Sequence, residues 1–158
     1  MAFSESTDVG SIKEFVPAGE TIENWSTMVA ARYFDNVDSP EEYIRNMAEE
    51  YRRTMPHMRF AVSQLEQGGA WDIDFIIYPR GEETGGFVEW NYFRAEQRGV
   101  GEGLVVNQYV VRRPFSRSIE EAFDGWDLPS LRKQMLPILK AADFNIVSGE
   151  VSDGEDAG

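Results

Sequence analysis

Between Met58 and Arg113 apolar and polar positions alternate through four successive runs, Met58 to Glu66, Ala70 to Tyr78, Gly86 to Glu96 and Gly103 to Arg113. Each is rich in β-branched or aromatic residues, and glycine-bearing turns part them: Gly68-Gly69, the Gly81 to Gly85 loop, and Gly99-Val100-Gly101. That punctuation predicts an antiparallel meander. Successive strand residues point to opposite faces, so the second run sets Trp71, Ile73, Phe75 and Ile77 on one side and Asp72, Asp74, Ile76 and Tyr78 on the other. The fourth sets Leu104, Val106 and Val110 against Val105, Tyr109 and Val111. A strand that is apolar on both sides leaves oily surface in water unless both are covered, so helices are expected on both faces of the sheet.

The flanking segments supply those covers. Ser39-Pro40-Glu41-Glu42 combines an N-cap serine, a proline at the first helical position and a glutamate at the third, and so opens a helix over Asp38 to Met55 that Pro56 ends. Its buried stripe is Ile44, Met47, Ala48 and Tyr51, with Glu41–Arg45 and Glu49–Arg53 spaced for ion pairs on the wet side. Past the meander, Ser118-Ile119-Glu120-Glu121 starts a short helix that Gly125 stops. Asp127 then caps a longer one with Leu128, Leu131, Met135, Ile138, Leu139 and Ala142 on or near one stripe and a kink at Pro137. Ahead of the first helix, Ser11 to Pro17 alternates as a short edge strand. Thr21 to Phe34 fits a helical stripe or, as preferred here, a strand over Met28 to Phe34. Residues 1–10 read as a flexible arm, Phe144 to Val147 as a small strand or extended coda, and residues 149–158 as an acidic disordered tail. The expected fold is one α+β domain over residues 11–148, an antiparallel sheet with a meander core packed between helices as an α/β/α sandwich.

Composition narrows the class of partner. With 158 residues and 42% hydrophobic content the chain can bury one ordinary core. A net charge of −13 argues against nucleic acid and anionic membrane surfaces, both of which reward basic proteins. An acidic surface suited to a basic partner is the minority reading beside simple solubility. The absence of cysteine removes disulfides, thiolate catalysis and cysteine metal sites. No apolar run approaches the roughly 20 residues that cross a bilayer, and Ala2 to Gly10 is too polar for a signal peptide, which leaves a cytoplasmic chain or one whose export signal is missing.

Candidate chemistry is sparse. Gly99-Val100-Gly101-Glu102-Gly103 leads into a strand and lacks the lysine of a phosphate-binding loop, so it reads as a hairpin turn. His57 is the sole histidine, at a helix-to-strand corner. Asp72 and Asp74 share a strand face that Glu89 could approach, a set able to hold a divalent cation or to act as an acid/base pair, though a solvated patch or arginine partners is the plainer reading. Asp153-Gly154-Glu155-Asp156 lacks the ligand alternation of a calcium loop. Between Arg94 and Arg117 lie five arginines, Arg94, Arg98, Arg112, Arg113 and Arg117, against only Glu96 and Glu102. If the third and fourth runs pair, Arg94 and Arg112 can stand together as guanidinium forks, with Trp90 and Tyr92 sharing an open face. Neutralisation of acidic groups within the chain is the alternative use of that zone.

The run Ile12-Lys13-Glu14-Phe15-Val16-Pro17-Ala18-Gly19-Glu20-Thr21-Ile22-Glu23-Asn24-Trp25-Ser26 resembles the opening of a group of small uncharacterised bacterial proteins. A helix, a four-strand meander and terminal helices follow in the same order. That group is similar in architecture to the superfamily of PsbP, an extrinsic photosystem II protein, and of a yeast nuclear-import factor that binds the Ran GTPase. The resemblance implies a PsbP-like sheet layered between helices and used for protein binding, with no active site to carry over. Such relatives have an export signal and a further strand before this point, neither of which the pattern here displays. The reading is therefore a non-enzymatic binding or accessory protein without a cofactor, metal or catalytic set, meeting an unknown protein partner through Trp90, Tyr92, Arg94 and Arg112. Two alternatives stay open: a small metal-dependent hydrolase using Asp72, Asp74, Glu89 or His57, and a small-ligand carrier.

Overall fold

In the computed structural model the described residues are 2–7, 10–55, 60–64, 69–77, 86–114 and 128–142. The strands are β1 (Ala2–Thr7), β2 (Gly10–Phe15), β3 (Thr27–Phe34), β4 (Phe60–Gln64), β5 (Trp71–Ile77), β6 (Phe87–Gln97) and β7 (Leu104–Pro114). Two helices are described, α1 (Pro40–Thr54) between β3 and β4, and α2 (Leu128–Ala141) after β7. All seven strands form one sheet in the order β1-β2-β3-β7-β6-β5-β4, with every neighbouring pair antiparallel. The chain builds β1 to β3 outward, crosses one face as α1 to the far edge, and returns strand by strand until β7 closes against β3.

The four alternating runs are thus adjacent strands, as their pattern predicts. The expected arm is corrected over its described residues: Ala2–Thr7 pairs along its whole length with β2, from Ala2 opposite Phe15 to Thr7 opposite Gly10. Consequently β2 is not an edge strand but an inner one. The stretch is one alanine, one phenylalanine and four polar residues with no periodic apolar signal, so only the ladder of backbone bonds makes it a strand. The Thr21 to Phe34 ambiguity is settled as a strand from Thr27.

Register sorts the core into two layers. On one face Ile73, Phe75, Phe93, Ala95 and Val106 pack against Ile44 and Ala48 of α1, with Tyr43, Met47 and Tyr51 beside them. On the other, Ile76, Val88, Trp90, Tyr92 and Val111 meet Leu131 and Leu139 of α2, with Met135 and Leu136. A third, smaller cluster of Trp25, Met28 and Val110, joined by Val16, closes the α1 face beyond that helix. Ser39 caps α1 as expected, its hydroxyl accepting the Glu42 N–H at 3.1 Å. Of the two expected ion pairs, Glu41–Arg45 forms at 2.8 Å, while Arg53 takes Glu50 in place of Glu49. In α2 the stripe is corrected at one position: Ile138 is 63% exposed and Leu136 packs inward instead. Pro137 lies inside α2 without ending it. The short helix at 118–125, the 144–147 segment, the acidic tail and His57 lie outside the described residues.

Candidate functional site

Asp72 and Asp74 show first what the meander does with its polar positions. Both are only 3% exposed, because α2 brings cations down onto them. Arg132 Nε donates to Asp74 Oδ2 at 2.5 Å, and the Trp90 indole N–H reaches the same oxygen at 3.1 Å. Lys140 Nζ lies 3.2 Å from Asp72 Oδ2, which also accepts from the Tyr92 hydroxyl at 3.3 Å; Ser63 donates to Asp72 Oδ1. Burial raises the Tyr92 pKa, and the charge of Asp72 raises it further. Arg132 and Lys140 stand eight positions apart on the helix, on the row beside Leu131, Met135 and Leu139. That row, beside the apolar stripe, is the signal in the sequence that sets cations above the two inward carboxylates.

Chemistry at this cluster is restrained by its own contacts. Lys140 Nζ sits 3.0 Å from Ser63 Oγ, a spacing that suggests an activated serine. Yet Lys140 Nζ is also paired with Asp72 Oδ2 at 3.2 Å, and the Ser63 hydroxyl is spent donating to Asp72 Oδ1, so both groups are engaged in fastening α2 to the sheet. Glu89 cannot join the pair of aspartates, since it pairs opposite Ile77 and projects from the α1 face. Among the described residues no cluster of three or more histidines or carboxylates could hold a metal ion.

The expected contact surface is corrected by the register. Trp90 and Tyr92 are fully buried under α2, and Arg94 is held there too, its Nη1 donating to the Lys140 and Ala142 carbonyls at 3.3 and 3.0 Å and its guanidinium pairing with Glu96. Arg94 thereby satisfies carbonyls at the helix C-terminus, where a cation is favoured. Arg112 stands opposite Glu89, not Arg94, and so on the other face. Its Nε donates to Glu89 Oε1 at 2.7 Å, and its guanidinium lies 3.7 Å from the Trp25 ring centroid and 5.1 Å from that of Phe87. Arg98 pairs with Asp35 at 3.6 Å, and Arg113 donates to the Ser26 carbonyl at 3.3 Å. Arg117 lies outside the described residues. The basic zone is therefore an internal fastening, spread over both faces.

What the sequence pattern did not reveal is a cleft on the open flank of α1. It measures about 620 Å³ and runs between Asn36, Val37 and Asp38, just after β3, and the helix side bearing Glu42, Tyr43, Asn46, Met47, Glu50 and Tyr51. Burial raises the pKa of Tyr43 and of Tyr51, and the nearby positive charge of Arg32 opposes the rise in each. A second hollow of about 290 Å³, bordered by Glu5, Ile12, Arg32 and Phe34, lies on the same side of the sheet. Phe34 lines one and Tyr43 the other, with their ring centroids 5.3 Å apart. Polar residues cross the sheet on this face: Arg32 Nη1 donates to Gln108 Oε1 at 2.5 Å, and Gln108 Nε2 to Asn91 Oδ1 at 3.0 Å. Since arginine only donates, it orients both amides and leaves the buried Asn91 Nδ2 without a hydrogen-bond partner among the described residues.

The fold and its clefts define a single-domain α+β protein with an open antiparallel sheet layered between helices. A family model matches residues 1–143, and the chain belongs to that family, an uncharacterised bacterial one. No curated protein and no solved structure matches it. Among the described residues no helix is long and apolar enough to cross a membrane.

Proposed function

We propose that this is a non-enzymatic binding or accessory protein whose contact region is the cleft along α1. The observation that carries the reading is that cleft, about 620 Å³ and walled by half-buried aromatic and thioether side chains beneath a polar rim. Its size falls in the range of binding sites, and apolar walls with a few polar groups are their usual composition. The small-ligand carrier is the second reading, favoured by the same volume. A hydrolase has less to draw on, because Asp72 and Asp74 anchor α2 and Glu89 faces away from them. Kinship with the PsbP and Ran-binding superfamily belongs to this proposal too. Its support is the sheet between helices and β1, a strand ahead of the Ile12 run of the kind such relatives have.

A photo-crosslinking residue placed at Asn46 in the cleft, and separately at exposed Lys133 on α2, tests the reading in cells that carry the gene. A discrete adduct from Asn46 alone, weakened by Tyr43→Ala, is expected. Identical adducts from both sites, or none from Asn46, would refute it.

A further inference from the structure

Four carboxylates on or just before α1 divide into two sets, while Glu49 is exposed away from the cleft. Glu41 and Glu50 are taken by Arg45 and Arg53 on the same helix. Asp38 and Glu42 border the cleft and make no ion pair among the described residues. No lysine or arginine lines that cleft. Below the rim the wall is Tyr43, Met47 and Tyr51, neutral rings and a polarizable thioether. Two positive groups stand near the cleft: Arg53, which is neutralised by Glu50 of the lining, and Arg32, whose field reaches both tyrosines. Arg32 is partly countered, with Glu14 at 4.0 Å from Nη2 and Gln108 accepting from Nη1.

We infer that the cleft docks a basic segment of a partner protein, with lysine or arginine heads at Asp38 and Glu42 and their methylene stems along Tyr43, Met47 and Tyr51. The inference rests on the binding role proposed above and adds the chemistry of the partner. Long cationic side chains suit such a place, since they lay apolar stems on apolar surface while the charged head stays at the wet edge. Tyrosine faces attract the same heads. Around the cleft the whole chain carries a net charge of −13, which steers a basic partner inward and repels an acidic one before contact. A small polyamine offers the same cationic heads and methylene stems but no neighbouring apolar side chains or backbone to cover the rest of the wall. An acidic segment meets unpaired carboxylates with no cation on the lining to receive it.

The test uses the full chain, isotopically labelled, titrated with a short lysine- and leucine-bearing peptide, its counterpart with glutamate in place of lysine, and spermidine. Saturable amide shifts at residues 36–38 and 42–51 are expected with the lysine peptide alone. Asp38→Lys with Glu42→Gln should weaken it about tenfold or more, the scale of losing one good charge contact. Both positions are exposed, so circular dichroism of the variant should match the parent. Equal binding of the glutamate peptide, shifts elsewhere on the surface, or affinity unchanged in the double variant overturns the inference. Spermidine matching the lysine peptide overturns the protein segment in favour of a small cation. No binding of the lysine peptide, beside a specific adduct from Asn46 in cells, overturns the charge assignment while leaving the binding role standing; absence of both removes the two together.

Discussion

Asp74→Ala is the perturbation that asks most directly how the helix is held on its face of the sheet. The wild-type carboxylate is 3% exposed and accepts from Arg132 at 2.5 Å and from the Trp90 indole at 3.1 Å. Removing it strands a buried indole N–H, at a cost of about 1–3 kcal/mol. It also leaves a guanidinium facing a dry surface, which in a fully buried pair costs about 3–5 kcal/mol. The Arg132 side chain is 26% exposed, so water recovers part of that. A total near 3 kcal/mol is expected, or a fall in Tm of about 6–12 °C for a chain of this size. Asp74→Asn keeps an acceptor for the indole and should cost about half as much. Urea unfolding followed by circular dichroism measures both, and a cycle with Arg132→Met isolates the pair. A coupling of about 1–2 kcal/mol is expected from residues in direct contact. Loss below about 1 kcal/mol in Asp74→Ala, or zero coupling, would refute the reasoning and leave α2 held by its leucines alone.

Three further outcomes follow from the same structure. Ser39→Ala removes the hydroxyl that accepts the Glu42 N–H and should lower stability by about 1 kcal/mol, read from the urea midpoint. Gly103 has φ 81° and a Cβ there would strike the Phe34 carbonyl, whereas Gly101 at φ 74° has open space around it. Gly103→Ala should therefore cost well over the roughly 1 kcal/mol expected of Gly101→Ala, and equal losses would contradict the close approach. Burial raises Tyr43, Tyr51, Tyr92 and Tyr109 above their ordinary value of 10.0. A raised folded value means that the associated stability is whole below the ordinary phenol range and is lost as the pH climbs through it, because the unfolded chain ionises first. The denaturant midpoint should fall in that alkaline range, and Tyr92→Phe should make the fall shallower; a flat midpoint in the wild type would contradict the burial.

Strand alternation reported which side chains share a face, and the structure keeps every such grouping within the described residues: Trp71, Ile73, Phe75 and Ile77 meet α1, while Ile76 meets α2. The cap at Ser39 likewise announced its own helix, because the serine and the N–H that it satisfies lie three residues apart. Site residues were harder to read. Alternation sets Trp90 and Tyr92 on one face, yet it is silent on whether a face meets water or a helix more than thirty residues further along the chain. Arg94 and Arg112 do lie on paired strands, but the register sets them on opposite faces.

By itself, then, the order of residues determined the identity of the meander, the limits of α1 and the need for a cover on each side, all matters of short-range spacing. Tertiary structure alone decided that β3 pairs with β7, that Ala2–Thr7 becomes a strand, and that Asp72 and Asp74 receive Lys140 and Arg132. It also decided that α1 leaves one flank open as a cleft. The physical reason is common to all four: backbone ladders, ion pairs and clefts form between segments distant in the chain, and no local period encodes which distant segment arrives.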